Sequence, residues 1–166
     1  DNPRGFIPKT PQSGGMQPVN YYDVSASNTA IGVNDLLERR SDGFVWQAQV
    51  GSTTIVGVAA QALDANTGGQ IAVTDIRDLV MVAQVDDATV NAQTDLDLNY
   101  DIVVGAPVNG RSIMEIDGSS QAATATLPIK ILRVADVQSQ EGNELGAFVA
   151  VECVINQSIF NAGNLG

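Results

Sequence analysis

From residue 19 to residue 160 the chain is a succession of short apolar and β-branched segments, punctuated by Gly, Pro, Asn and Asp at roughly 8–12-residue spacing. A helix needs an apolar stripe repeating every 3.6 residues over several turns, and few stretches offer one. The rhythm therefore predicts a mainly β protein, either a small β-barrel or a β-sandwich domain. Aromatic residues are sparse, at 5%, while Ala and Val are common. Such a composition predicts a thin core that an oligomer interface would supplement.

Along the chain, Val19-Asn20-Tyr21-Tyr22-Asp23-Val24 has the β-branched and aromatic character of a strand. Residues 35–40 and 44–49 flank Ser41-Asp42-Gly43, and Asp-Gly is a strong hairpin signal. The alternative is a short helix over residues 36–40 with Asn34 as its N-cap. Residues 53–60 read as an apolar strand, and Gly57 inside it marks a bulge or a close backbone approach. Residues 64–69 read as a loop, and 73–85 as strand broken at 75–78. Leu79-Val80-Met81-Val82-Ala83 is the continuous run of a strand buried on both sides. Residues 101–104 and 111–116 bracket a loop with Pro107 and the turn pair Asn109-Gly110. Asp117-Gly118-Ser119-Ser120 is the next expected turn. Strands are expected at 123–127 and 129–134, with Pro128 implying an edge position or a bulge. A polar loop follows over 135–142. In the last strand, 147–155, alternation puts Val149, Val151, Cys153 and Ile155 on one face and Ala150, Glu152 and Val154 on the other.

Residues 1–18 differ. They hold four of the six prolines together with Gly5, Gly14 and Gly15. Proline removes backbone donors and disfavours helix in the residue before it. This stretch reads as an extended N-terminal arm, followed by a β domain over 19–160 and a flexible tail over 161–166. Arg4 and Lys9 against Asp1 leave the arm net +1 and the remainder −12. Arg4, Phe6, Ile7 and Lys9 are the expected partner contacts of the arm, with Phe6 and Ile7 as its apolar anchors. Deleting residues 1–18 is then expected to leave a folded domain.

The net charge of −11 excludes the basic footprint of a nucleic-acid binder and disfavours contact with an anionic membrane. No run of about 18 apolar residues is present, so no membrane-spanning helix is expected. The proline-rich start does not resemble a signal peptide, although a chain that opens at Asp1 leaves room for a processed leader. Cys153 is the single cysteine, so no internal disulfide framework exists.

The polar constellations give little chemistry. Asp95-Leu96-Asp97-Leu98-Asn99-Tyr100-Asp101 imitates the start of a Ca²⁺-binding EF-hand loop, but Tyr100 replaces the turn glycine and Ala106 stands where a bidentate Glu belongs. As a strand it would place Asp95, Asp97, Asn99 and Asp101 on a solvated face, and Leu96, Leu98, Tyr100 and Ile102 on the other. Clustered carboxylates still leave a weak Ca²⁺ site open. Cys153 has no histidine to activate it and reads as a small buried hydrophobe. Asp86-Asp87, or Asp136 with Glu141 and Glu144, offer carboxylate pairs with no sign of a shared pocket. Gly14-Gly15 and Gly68-Gly69 lack the Lys and Ser/Thr of a phosphate loop, and no cofactor is expected. Trp46 with Tyr21 and Tyr22 suggests either a sugar platform or core and subunit contacts.

Several motifs stand together. The arm reads Asn2-Pro3-Arg4-Gly5-Phe6-Ile7-Pro8. The middle has Asp95-Leu96-Asp97-Leu98-Asn99-Tyr100-Asp101, Val104-Gly105, Gly110-Arg111-Ser112 and Glu115-Ile116-Asp117. Then come Ala123-Thr124-Ala125-Thr126-Leu127, Ile129-Lys130-Ile131-Leu132 and Asn143-Glu144-Leu145-Gly146-Ala147, with Val151 and Ile155-Asn156 at the close. Together they resemble the capsid decoration (cement) proteins of tailed bacteriophages, over the arm and about the last half of the chain. The resemblance implies a non-enzymatic virion protein on the outer surface of the capsid. It would commonly be a homotrimer that clamps neighbouring major capsid protein subunits, without nucleic acid or membrane as a partner. A head-fibre base, a tail component or a carbohydrate-binding adhesin module are the alternatives. A hydrolase with paired carboxylates ranks last.

Overall fold

The computed structural model describes residues 3–9, 18–75, 78–123, 126–136 and 143–160. The chain is nearly all β. Eleven strands are present among these residues: β1 (Ile7–Pro8), β2 (Val19–Val24), β3 (Leu36–Arg39), β4 (Val45–Gln47), β5 (Ile55–Ala59), β6 (Gly69–Thr74), β7 (Met81–Gln84), β8 (Asn99–Val103), β9 (Glu115–Ala122), β10 (Ile129–Val134) and β11 (Ala150–Ile155). A 3₁₀ turn, Gln93–Asp95, precedes β8.

Strands β2 to β6 close a barrel in the order β2-β4-β3-β5-β6. The β3–β4 hairpin forms at Ser41-Asp42-Gly43 as the sequence predicts, with Gly43 at φ 88° and the Phe44 amide bonded to Asp42 Oδ1. The alternative helix over 36–40 is absent. β2 runs antiparallel to β6 along its whole length and meets β4 in parallel through the pair Val24–Val45. The remaining strands form a six-stranded sheet in the order β1-β7-β11-β10-β8-β9. A parallel bridge between Val85 and Ile116 bends the far end of this sheet back towards β7.

Two apolar clusters result. Val24, Ile31, Leu37, Val45, Val56, Ala59, Ile71 and Val73 fill the barrel. The larger cluster lies between barrel and sheet. It joins Leu36, Ala48, Ile55 and Val58 to Met81, Ala83, Tyr100, Ile102, Ile116, Ile129, Ile131, Val151 and Cys153, among others. The period-two rule explains the division: in β3, Leu36 points to the sheet and Leu37 into the barrel, and in β5 Ile55 and Val56 do the same. β5 is therefore buried on both sides, throughout its length. Gly57 is required there, because a Cβ at this position would stand 2.2 Å from the carbonyl oxygen of Thr74. The β3–β5 register also shifts beside it, between Leu37 and Glu38, so both expectations for Gly57 hold.

Several expectations need correction. The run 79–83 is not a strand buried on both sides: β7 alternates, with Met81 and Ala83 inside and Val82 and Gln84 half-buried. Residues 117–120 do not form a turn but lie within β9, where Asn99 pairs with Ala122 and Asp101 with Asp117. Between these pairs one residue of β8, Tyr100, stands against four of β9, and the turn-forming residues are taken up as a bulge. Pro128 does not mark an edge, since β10 has β11 on one side and β8 on the other. It sits just ahead of the strand, where its missing N–H costs nothing, and its carbonyl accepts from Asn156. In 95–101 the polar side is only partly solvated. Asp97 is exposed, but Asn99 and Asp101 are buried, and Asp101 Oδ1 accepts from the Gly51 amide at 2.8 Å. Leu96, Leu98, Tyr100 and Ile102 do share the apolar side. Val149, just before β11, and Val151, Cys153 and Ile155 within it all join the large cluster, as expected. Most of the loop at 135–142, residues 124–125, the arm beyond Lys9 to residue 17 and the tail at 161–166 lie outside the described residues.

Candidate functional site

The N-terminal segment folds onto its own domain. Ile7 and Pro8 pair with Val82 and Met81, making β1 the outer strand of the sheet. Phe6 is 0% exposed and belongs to the large cluster. It is a core residue of this chain rather than a partner contact, because the edge pairing of β1 turns its ring inward. Lys9 is likewise engaged within the chain. Its Nζ bonds Glu152 Oε1 at 2.5 Å, while Arg133 bonds the other oxygen of the same carboxylate. Burial alone would raise the Glu152 carboxyl, but the two cations more than offset it and hold it below the ordinary range. Arg4 and Ile7 remain exposed, as a partner contact requires.

Arg4 and Ile7 line an open cleft of about 660 Å³ with Pro3, Val33, Asn34, Arg111 and Ser112. Three local structures build it. Asn109 and Gly110, at φ 51° and 71°, make the two-residue turn that the sequence predicts, closed by reciprocal bonds between Val108 and Arg111. The turn then lies against Val33, whose amide bonds Gly110 and whose carbonyl accepts from Ser112. The N-terminal segment closes the third side: the Phe6 amide bonds the Asn34 carbonyl at 2.9 Å, and Asn34 Nδ2 reaches the Arg4 carbonyl. Gly5 permits this contact. Its φ is +72°, and a Cβ there would meet Ser112 Cβ at 2.4 Å.

Next to Asn34 in the chain is Asp35, 0% exposed. Its Oδ2 accepts from the Gly32 amide at 2.7 Å and from Gln47 Nε2 at 3.0 Å, and Gln47 also bonds the Gly105 carbonyl. Burial pushes its carboxyl upward, against the pull of the Ser112 hydroxyl, the Gly32 amide and Gln47. Asp35, next in sequence to the cleft residues Val33 and Asn34, thus knits the 31–35 segment to β4 and to the loop after β8.

The other candidates do not converge on the cleft. Asp86 Oδ1 accepts from the Gly118 amide and Asp87 Oδ1 from Thr89, so both carboxylates anchor backbone turns. Glu115, which the sequence does not single out, stands close enough to Asp86 that burial and then Asp86 raise its carboxyl. Asp136 and Glu144 are exposed, and Glu141 lies outside the described residues. Among the described residues no three His, Cys, Asp or Glu side chains group as metal ligands. No helix there is long and apolar enough to cross a membrane. Cys153 is buried, and burial followed by Glu152 pushes its thiol far up. The aromatic trio is not one platform. Arg40 stacks over Trp46 at 4.1 Å, Tyr22 donates to Asp75, and Tyr21 stands alone at 66% exposure. Arg111 is the site residue that sequence reasoning missed. The signal was the Asn109-Gly110 turn immediately before it.

No protein-family model, no curated protein and no solved structure matches the chain.

Proposed function

We propose that this chain is a capsid decoration (cement) protein, a non-enzymatic virion component. It lies on the outer surface of a phage head, as a homotrimer, and ties neighbouring major capsid protein subunits together. The observation that carries the reading is the mounting of the N-terminal segment. Residues 3–9 lie on the β domain, with Ile7–Pro8 as the outer strand of the sheet and Phe6 in its core, and they hold Arg4 and Ile7 outward beside a second arginine. A stiffly held contact surface loses little entropy on binding, which suits a clamp. Symmetric repetition over a shell then multiplies a modest contact. The run of motifs that resembles cement proteins supports the same reading, and the strong negative charge opposes a role on nucleic acid.

The test is to add purified protein to bare phage heads. Saturable binding and a higher disruption temperature are expected. Heads that neither bind it nor gain stability would refute the proposal. Removing residues 1–18 is no longer the variant of choice, because it extracts Phe6 from the core. Arg4→Glu with Ile7→Asp alters the exposed contacts and leaves the packed ones in place.

A further inference from the structure

We infer that the cleft between the N-terminal segment and the Asn109–Gly110 turn docks an extended, acidic segment of a partner protein. The partner's place on a phage head rests on the proposed function; the chemistry of the cleft does not. The first argument is charge. The chain has 19 acidic side chains for 8 basic ones, so cations readily find partners within it. Lys9 and Arg133 hold Glu152, Arg40 holds Glu38, Lys130 faces Asp97, and Arg39 bonds the Gly43 carbonyl. Among the described residues Arg4 and Arg111 alone have cationic groups with no such bond, and both line the same cleft. Two like charges on one concavity repel, and a carboxylate between them relieves that repulsion. A guanidinium also offers a carboxylate two parallel N–H donors.

The second argument is shape. Pro3, Ile7 and Val33 give the cleft apolar walls, so the occupant presents side chains of both kinds. The cleft adjoins β1, the terminal strand of its sheet, where the Phe6 amide facing away from β7 is already bonded to the Asn34 carbonyl. An extended chain lying along the cleft alternates apolar and acidic side chains against these walls. Pro8 has no N–H to give either, so β1 offers an added strand no free donor and the arginines carry the affinity.

The probe is a capped hexapeptide alternating Val and Asp, titrated into the full chain by calorimetry at two salt concentrations. Binding that weakens with salt is expected, with a loss of about tenfold or more in the Arg4→Gln/Arg111→Gln variant. Lys130→Gln, which alters a cation outside the cleft, is expected to bind like the parent. Equal affinity for a Val–Asn peptide, or equal affinity of the double variant, overturns the inference. So does binding of inorganic phosphate as tight as the peptide, or a parent dimer that the double variant abolishes. Heads that bind the parent and the double variant equally would remove the cleft and spare the capsid reading. Heads that ignore a parent still able to bind the peptide would do the reverse.

Discussion

The barrel draws all five strands from one stretch, Val19 to Thr74, and fills its interior with residues of that stretch. The six-stranded sheet takes its outer strand from residues 7–8 and the others from beyond residue 80, and its cluster takes Phe6 from the segment before β1. The sheet also borrows Leu36, Ala48, Ile55 and Val58 from the outside of the barrel. One half is closed by near neighbours in sequence, and the other is finished by a residue that must return across the chain. The barrel's stability is local, and the sheet's depends on the N-terminal segment staying in place.

Phe6→Ala gives the largest break in this comparison. Emptying a fully buried aromatic site costs about 3–5 kcal/mol. Hydrogen exchange should show β7 and β11 losing protection while β2 to β6 keep theirs. Equal loss in the barrel would contradict the contrast. Gly57→Ala attacks the barrel instead, because the added methyl meets the backbone of Thr74. A cost of about 3 kcal/mol is expected by urea titration, with protection lost first in β5 and β6.

Glu152→Gln sharpens the comparison through pH. The folded Glu152 carboxyl sits below its ordinary value, so its contribution is present above the unfolded pKa and is lost as pH falls through the folded one. Removing the charge should cost about 2 kcal/mol at neutral pH and flatten the acid limb of the stability curve. Asp35→Asn has the opposite sign and the smallest size. Its folded carboxyl is raised, so the stability linked to it is full below the unfolded pKa and is lost as pH rises through the folded one. Asparagine keeps an acceptor for Gly32 and Gln47, and a gain on the order of 1 kcal/mol at neutral pH is expected by thermal melts.

In both halves the local features were the legible ones. The β3–β4 hairpin, Gly57, the Asn109–Gly110 turn and the alternation of β11 could be read because each is decided by residues a few positions apart. The order of the sheet, and the parallel closure of β2 on β4, depend on pairings across tens of residues, and no spacing encodes those. Residues 117–120 misled because Asp, Gly and Ser serve a bulge as well as they serve a turn. At the site, Arg4 and Ile7 are exposed, as the reading of the arm requires. Phe6 was not distinguishable from them, since an aromatic in a proline-rich segment reads the same whether it anchors to a partner or to its own core. Arg111 was missed because its importance comes from Val33 and Gly5, which are far from it in sequence.

The thiol of Cys153 lies in β11, between β10 and β7, in the cluster that Phe6 completes. Sealed there and held as a poor nucleophile, it meets an alkylating reagent when those strands part. The chain therefore carries its own stopwatch. The labelling rate of one sulfur counts how often the sheet breathes, and loosening the N-terminal segment should make it tick faster.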